Sequence, residues 1–377
     1  MMRFVRKFET GRDFAMKRIL FITNIPSPYR VNFFDALGKE LDVTVLYFDR
    51  SQDHGDRTKE WYIQGEGNFH PVQLKKRIAS IGGENLCWDV IDWVKQPFDA
   101  IVVCGYSSPT VMLAMAYMKL HRIPFYMEVD GGLVRADSPL KFQFKKMLIS
   151  APSYWISSGA HTSDYLAHYG ANREKIYEYP FSSIQETDIV TQRISSEEKR
   201  NLRQKLGISE EKVLISVGQF IHRKGFDVLL KSAAKLEDDI GIYIVGGKPT
   251  EEYLKLAESF KNVHFVGFLK KEDLMEYYKA SDLFVFPTRE DIWGLVVNEA
   301  MACGLPVITT EKCVAGLELI ENGVNGYLVP VEDHDTLADR IRAVFAGDPS
   351  AMGEAALETI RPYTIENMAK THVEIFR

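Results

Sequence analysis

Hydrophobic and polar residues divide the chain into two alternating kinds of segment. Short apolar runs rich in Val, Ile and Phe are separated by longer stretches in which apolar residues recur every three or four positions, as at Val31, Phe34, Leu37 and Leu41 within 30–41. The short runs predict buried strands, and the wider spacing predicts helices. Strands that alternate with helices predict an α/β protein with parallel sheets.

The alternation occurs twice, with a polar interruption between the two parts. We predict strands at 18–23, 43–47, 100–104, 124–129 and 154–157, and again at 213–217, 242–245, 263–265, 283–286, 307–309 and 327–329. Residues 172–212 are polar and charged and are predicted to form an interdomain connection and its flanking helix. The predicted divisions are an N-terminal extension (1–16), an N-terminal domain (17–190), a C-terminal domain (191–360) and a helix (361–377) that returns to the N-terminal domain. Since open parallel sheets bind ligands at the carboxyl ends of their strands, the cleft between the domains is the expected site.

Length and charge narrow the class of protein. A chain of 377 residues exceeds what one hydrophobic core usually holds, which supports two domains. The net charge of −6 argues against a nucleic-acid partner. The four cysteines have no metal-binding or redox spacing and are expected to be reduced thiols, as in the cytoplasm. The most apolar window, 101–118, is interrupted by Gly105 and Pro109, so we predict no membrane span.

The densest chemical signal lies at 284–310, with the sequence FVFPTREDIWGLVVNEAMACGLPVITT. It predicts a strand, a polar loop and a helix that begins near Gly294, and the free N–H groups of such a helix suit a diphosphate. Glu290 and Asp291 directly precede that helix, and Glu299 lies inside it. Glu299 is either an exposed helix carboxylate or, because its neighbours are apolar, a group that pairs with ligand hydroxyls.

A second strand-to-helix turn lies at 216–233, with the sequence SVGQFIHRKGFDVLLKSA. A strand ends at Gly218, and the following loop carries Arg223 and Lys224. These cations can neutralise a phosphate, although any surface loop can carry the same pair.

The N-terminal half offers weaker signals. The loop at 24–30 ends in Pro28-Tyr29-Arg30, and Arg30 either faces the cleft or belongs to a plain helix-capping loop. Glu128 and Asp130 follow the fourth predicted strand, where Asp-Gly-Gly is either a turn or a polar contact to a ligand.

Together these segments resemble the retaining GT-B glycosyltransferases with an E-x7-E motif (glycosyl transferases group 1, family 4). The family pattern E-x-F-G-x-x-x-x-E-A-M-A-x-G-x-P-V is matched at Gly294, at Glu299 with the following Ala-Met-Ala, and at Gly304 and Pro306, while Asp291 stands at the first acidic position. The resemblance implies two Rossmann-like domains whose parallel sheets face each other across a cleft. It also implies an enzyme that moves a sugar from a nucleotide-diphosphate sugar to an acceptor hydroxyl with retention.

The resemblance assigns expected roles. Glu299 would bind the ribose hydroxyls of the donor, and Asp291 or its neighbour Glu290 would contact the donor sugar. Lys224 matches the family's diphosphate-binding lysine, whereas Gln219 replaces the family's arginine, so Arg223 is expected to supply the second cation. The catalytic residues implied are Asp130, Arg223, Lys224 and Asp291; further donor contacts are Gly218, Gln219, Gly267, Leu269, Glu290, Trp293, Gly294 and Leu295; and the acceptor side has Pro28, Arg30 and Glu128.

No metal or other cofactor is expected, and the implied partners are a nucleotide-sugar donor and a sugar or lipid-linked acceptor. Relatives of this type commonly act in bacterial surface-polysaccharide, lipopolysaccharide or glycolipid assembly. The segment 140–148, LKFQFKKML, is either an ordinary amphipathic helix or a peripheral contact with the inner face of the cytoplasmic membrane. The alternatives are a nucleotide-sugar epimerase or hydrolase-like relative, which the motif disfavours, and a non-catalytic sugar-nucleotide-binding subunit. An NAD-dependent dehydrogenase is disfavoured because no G-x-G-x-x-G follows either first strand.

Overall fold

The computed structural model describes residues 16–49, 67–81 and 84–377, so residues 1–15 of the predicted extension lie outside it. Within these ranges, two fully parallel sheets each form the centre of one domain. The predicted α/β class with two parallel sheets is confirmed. No helix of the described ranges is both long and apolar enough to cross a membrane.

The N-terminal sheet has the strand order β3-β2-β1-β6-β7-β8-β9, and a separate antiparallel pair, β4-β5, lies beside it. Its strands are β1 (Arg18–Thr23), β2 (Asp42–Tyr47), β3 (His70–Gln73), β4 (Arg77–Ile81), β5 (Glu84–Cys87), β6 (Ala100–Cys104), β7 (Tyr126–Val129), β8 (Tyr154–Ser157) and β9 (Ile176–Glu178). Its helices are α1 (Pro28–Leu37), α2 (Val90–Val94), α3 (Pro109–Leu120), α4 (Pro139–Ile149) and α5 (Ala160–His168).

The C-terminal sheet has the order β12-β11-β10-β13-β14-β15. Its strands are β10 (Lys212–Val217), β11 (Ile240–Val245), β12 (Val263–Val266), β13 (Leu283–Phe286), β14 (Val307–Thr310) and β15 (Gly326–Val329). The helices of the second half are α6 (Ser196–Leu206), α7 (Phe226–Ala233), α8 (Glu251–Ala257), α9 (Lys271–Ala280), α10 (Leu295–Ala302), α11 (Val314–Leu319), α12 (His334–Ala346), α13 (Pro349–Ile360) and α14 (Ile365–Phe376).

The polar segment at 172–212 is more than a connection. It contains β9, the last strand of the N-terminal sheet, and helix α6. Between these elements, Tyr179, Phe181 and Ile184 are buried. Three apolar side chains in a polar stretch are too few to change its average character, which is why the hydrophobic pattern missed their packing.

Helix α14 packs along α1 and completes the core of the N-terminal domain. Phe376 contacts the rings of Phe21 and Tyr126 at centroid distances of 6.2 and 5.4 Å. The Lys17 ammonium donates to the Phe376 carbonyl at 2.7 Å. The final helix of the described chain therefore belongs structurally to the first sheet.

The two domains touch where the loop after β7 meets the loop after β13. Gly131 lies so close to the carbonyl oxygen of Ile292 that a Cβ would overlap it, which requires glycine. Arg135 of the N-terminal domain pairs with Glu290 of the C-terminal domain. Together, these contacts bring the loops after β7 and β13 against each other.

Candidate active site between the two domains

A cleft of about 510 Å³ lies where these loops meet. From the N-terminal domain it is lined by Thr23, Asn24, Ser27, Tyr29, Arg30, Phe48, Glu84, Cys104, Gly105, Tyr106, Ser107, Ser108, Glu128, Val129, Asp130, Gly131, Gly132, Leu133, Arg135, Lys145 and Tyr165. From the C-terminal domain it is lined by Glu290, Asp291 and Ile292. Five candidate residues from the two halves of the sequence thus line the same cleft: Arg30, Glu128, Asp130, Glu290 and Asp291.

A buried ionic network forms the floor on the N-terminal side. Arg30 is 4% exposed and donates to Glu128 at 2.6 Å and to Asp130 at 2.5 Å. The Tyr179 hydroxyl donates to the same two carboxylates, at 3.0 and 3.1 Å. Arg30 therefore faces the cleft and is held by both acids, which a helix-capping loop alone would not require. Its neighbour Pro28 is exposed in the first turn of α1 and is absent from the lining.

Burial acts differently on the two acids. Burial alone would raise the pKa of Glu128, but the charge of Arg30 and the hydrogen bonds from Arg30 and Tyr179 outweigh it, and the pKa of Glu128 is lowered. Burial dominates at Asp130, where it and the nearby Glu128 charge raise the pKa despite Arg30. The network thus holds Glu128 as a carboxylate and makes Asp130 the more basic of the two.

His372 of α14 lies next to this network, on the side of Glu128. Its side chain is fully buried, Nδ1 lies 2.8 Å from the Met368 carbonyl, and Nε2 lies 3.9 Å from Glu128. Burial lowers the pKa of His372, so the ring is neutral at neutral pH. The sequence carried no signal for His372 or Tyr179, because both come from segments distant from the motifs.

On the C-terminal side, two cations converge on Asp291. The Lys224 ammonium lies 2.6 Å and the Arg223 guanidinium 3.0 Å from the same carboxylate oxygen. Lys224 and Asp291 have side chains only 13% and 14% exposed, whereas Arg223 is 47% exposed. The side chain of Glu290 instead points to Arg135, so the structure places Asp291, and not Glu290, beside the cations.

Hydrogen bonds and close packing join the loop that carries Arg223 and Lys224 to the loop that carries Asp291. The Thr288 hydroxyl and the Arg289 amide both donate to the Arg223 carbonyl, at 3.0 and 2.8 Å. Gly225 has φ +70°, and a Cβ there would overlap the Pro287 carbonyl oxygen. The Arg289 guanidinium pairs with Asp227 through two bonds of 2.8 Å and also with Glu332. The cationic loop therefore has little freedom relative to the loop that carries Asp291.

Glu299 lies in α10 and is half-buried. It accepts hydrogen bonds of 3.3 Å from the hydroxyls of Tyr278 and Ser183. Burial raises the pKa of Glu299 to about 7, which these bonds only partly offset. It is therefore not a freely exposed helix carboxylate, and its charged form lacks a cationic partner among the described residues within hydrogen-bonding distance.

The remaining residues predicted for donor contact differ in their exposure to solvent. Gln219 and Gly267 are exposed at the ends of β10 and β12, and Gly218 and Leu269 are half-buried beside them. Gly294 caps α10 at its N-terminus, and Leu295 begins that helix.

Trp293 corrects an expectation, because its ring is 3% exposed and does not line the cleft. Its Nε1 donates to Asn298 at 2.8 Å, and the ring packs edge-on against Phe181. Trp293, which stands at the aromatic position of the family motif, therefore packs against the segment between β9 and α6 that joins the two domains.

Among the residues that the structure describes, no group of three or more His, Cys, Asp or Glu side chains is arranged to hold a metal ion.

Comparisons with known proteins agree with this architecture. Residues 198–358 match the glycosyl transferases group 1 family. An uncharacterized glycosyltransferase of Methanocaldococcus jannaschii is 30% identical over 196 residues, which are 49% of this chain and 50% of that protein. A D-inositol 3-phosphate glycosyltransferase of Corynebacterium diphtheriae is 30% identical over 226 residues, 55% of this chain and 52% of that protein. The chain spans about half the length of these curated relatives.

A solved structure extends the likeness to both domains. Anabaena HepE in complex with UDP and glucose has a TM-score of 0.71, is 18% identical, and is matched over 95% of this chain and 99% of that one. At this identity the likeness shows the fold. The C-terminal domain is thus similar to the glycosyl transferases group 1, and the two domains together have the GT-B fold.

Proposed function

We propose that this chain is a retaining glycosyltransferase that moves a sugar from a nucleotide-diphosphate sugar to an acceptor hydroxyl. The observation that carries the proposal is the convergence of Lys224 and Arg223 on Asp291, directly before helix α10 and at the edge of the cleft. Two cations and a helix N-terminus are suited to a diphosphate. The neighbouring carboxylate is suited to the hydroxyls of the attached sugar. HepE, the structural neighbour bound to UDP and glucose, supports a nucleotide-sugar donor.

The same geometry supports a role in bond breaking. When the bond between the anomeric carbon and the diphosphate oxygen breaks, negative charge develops on the leaving phosphate. Lys224, which is largely buried, and Arg223 would stabilise that charge as the Asp291 carboxylate turns to the sugar hydroxyls. These side chains supply the charge compensation themselves, so we propose that no metal ion is needed.

The remaining donor contacts come from α10 and the acceptor contacts from the opposite wall. Glu299 would accept hydrogen bonds from the ribose hydroxyls. These bonds would stabilise its charged form, which has no cationic partner within hydrogen-bonding distance among the described residues. Asp130, whose pKa is raised by burial, would contact the reacting hydroxyl and receive or share its proton. The incoming oxygen would attack from the face that the diphosphate leaves, and no side chain is assigned as a nucleophile.

Helix α4 has an exposed surface that is suited to contact with a membrane. Leu140, Phe144 and Met147 are 86%, 49% and 59% exposed, and Lys141 and Lys146 are exposed on the same helix. Apolar and basic side chains exposed together suit an anionic membrane surface that carries a lipid-linked acceptor. We therefore propose peripheral contact with the cytoplasmic face of the membrane, in surface-polysaccharide or glycolipid assembly. Loss of co-sedimentation with phosphatidylglycerol vesicles in Leu140→Asp/Phe144→Asp would support this contact, and unchanged binding would contradict it.

The donor site is tested by thermal-shift and donor-hydrolysis measurements with UDP-, GDP-, ADP- and TDP-sugars. We expect one base to raise the melting temperature of the wild type, with EDTA having no effect. Glu299→Ala should lose this shift, whereas Glu258→Gln, at an exposed carboxylate directly after α8, should keep it. Binding without hydrolysis or transfer would favour a non-catalytic sugar-nucleotide-binding subunit, and no binding by any donor would refute the proposal.

A further inference from the structure

Among the residues that the structure describes, two buried polar atoms on the N-terminal wall of the cleft have no hydrogen-bond partner. They are the Ser108 hydroxyl oxygen and one carboxylate oxygen of Glu84. Ser108 is 8% exposed and stands at the N-cap of α3, yet its side chain does not make the capping bond. A buried polar atom without a partner costs free energy, so two of them in one cleft point to a ligand that satisfies both.

The fold holds these two atoms on the same wall. The Thr110 hydroxyl, in the first turn of α3, donates to the Asn85 carbonyl at 2.5 Å and accepts from the Cys87 amide at 2.9 Å. Asn85 is anchored in turn through its side chain to the Phe48 carbonyl at 3.2 Å. Strand β5, which begins at Glu84, is thereby tied to the helix that begins after Ser108.

The charged residues that line the cleft indicate whether an anionic or a neutral acceptor can bind there. Three cationic residues line it, Arg30, Arg135 and Lys145, and five acidic ones, Glu84, Glu128, Asp130, Glu290 and Asp291. Each lining cation already has a carboxylate partner: Arg30 pairs with Glu128 and Asp130, Arg135 with Glu290, and Lys145 with Asp137. Among the described lining residues, no cation is left to bind an anionic acceptor, and the Glu84 carboxylate would repel one.

Two aromatic side chains complete the wall. Tyr106 and Tyr165 line the cleft and are joined through their hydroxyls. Rings of this kind offer apolar surface with a polar edge, and binding sites combine such surface with a few placed polar groups. The wall thus provides flat apolar area, a hydroxyl and a carboxylate acceptor.

We infer that the acceptor group entering this cleft is a neutral, polyhydroxylated one, such as an unphosphorylated sugar residue, whose hydroxyls donate to Glu84 and exchange hydrogen bonds with Ser108. This inference rests on the proposed glycosyl transfer and names its acceptor class. It separates this chain from the relative named for D-inositol 3-phosphate.

The test uses the donor identified by hydrolysis and a panel of matched acceptors. The neutral members are p-nitrophenyl glycosides of glucose, galactose, mannose and N-acetylglucosamine, together with myo-inositol. The anionic members are the corresponding sugar 6-phosphates and D-inositol 3-phosphate. Transfer is followed by mass spectrometry and kcat/KM, and donor hydrolysis without acceptor is measured in parallel.

We expect transfer to at least one neutral acceptor, with kcat/KM at least about tenfold above that of its phosphorylated counterpart. Glu84→Gln and Ser108→Ala should each raise the KM for that acceptor, by about tenfold for Glu84→Gln, with the KM for the donor unchanged. Glu174→Gln, an exposed carboxylate of the same domain, is the matched control.

The outcomes distinguish failure of the acceptor assignment from failure of the proposed glycosyl transfer. Preference for the phosphorylated acceptor, or donor hydrolysis with no transfer to any neutral member, would overturn the acceptor assignment and leave the donor site standing. An unchanged acceptor KM in a folded Glu84→Gln variant, with a melting temperature equal to that of the wild type, would also overturn it. Failure of all donor binding and hydrolysis would instead refute the proposed function.

Discussion

Replacing Glu299 with glutamine should stabilise the unliganded protein and weaken its donor binding at the same time. Glutamine keeps the size of the side chain: its carbonyl oxygen can accept from one of the Tyr278 and Ser183 hydroxyls, and its NH2 group can donate to the other. It removes a carboxyl whose pKa burial raises from 4.5 to about 7. The substitution therefore removes the cost of charging a half-buried group.

The sign and the size of the effect follow from proton linkage. Because the pKa of Glu299 is higher in the folded protein than in the unfolded chain, the folded state binds more protons between pH 4.5 and about 7. The free energy of unfolding of the wild type therefore falls as pH rises through this window and then stays level. The two pKa values correspond to at most about 3 kcal/mol, and solvent access to the half-buried group reduces this. We expect Glu299→Gln to be about 1–3 kcal/mol more stable than the wild type near pH 8 and equal to it near pH 4.5.

Whereas Glu299→Gln should be more stable than the wild type, its affinity for the donor should be lower. Hydrogen bonds to a charged acceptor are stronger than those to a neutral one, so the donor Kd should rise at least about tenfold in Glu299→Gln. Urea unfolding at both pH values measures the first effect, and isothermal titration with the donor measures the second, with Glu258→Gln as the control. Equal destabilisation of Glu299→Gln at both pH values, or an unchanged Kd, would refute the reasoning.

Three further substitutions test other parts of the site. Lys224→Ala should lower kcat for the proposed donor cleavage by about 10²–10³-fold, because the leaving group loses the more buried of its two proposed cations; a near-normal kcat would contradict that role. Arg135→Ala should lower stability by less than about 1 kcal/mol, because its pair with Glu290 is partly exposed, and thermal melting at low and high salt would reveal any larger loss. His372→Gln should lose less stability than the wild type as pH falls from about 6.5 to about 5, since burial lowers the pKa of His372 and the unfolded chain binds the proton first. Parallel melting curves for this variant and the wild type across that pH range would exclude a contribution from His372.

Much of the fold was predictable because most strands of the two sheets carry their own local signal. The apolar runs at 18–23 and 283–286 coincide with β1 and β13, since strands buried on both faces read as continuous hydrophobic runs. The edge strands β3 and β9 were missed, because their partly exposed faces leave a mixed pattern.

The site was less predictable because its contacts join distant segments. The bonds from Arg30 to Glu128 and Asp130 cross about a hundred positions of sequence, and only the sheet order brings them together. Trp293 stands at a motif position, yet local sequence does not say that Phe181 covers its ring. The unpartnered state of Ser108 is likewise a property of packing, which no residue type reveals.

The return of helix α14 to the first domain sets an order for folding during synthesis. The sheet that begins at β1 has Phe21, Phe33 and Phe34 in its core, and part of their cover is Phe376 on α14. The ribosome delivers those phenylalanines before the C-terminal sheet and their cover after it, whereas the C-terminal sheet is complete in one continuous stretch. The second domain is thus expected to mature first, while the first waits for residues 365–376 and exposes apolar surface to chaperones meanwhile.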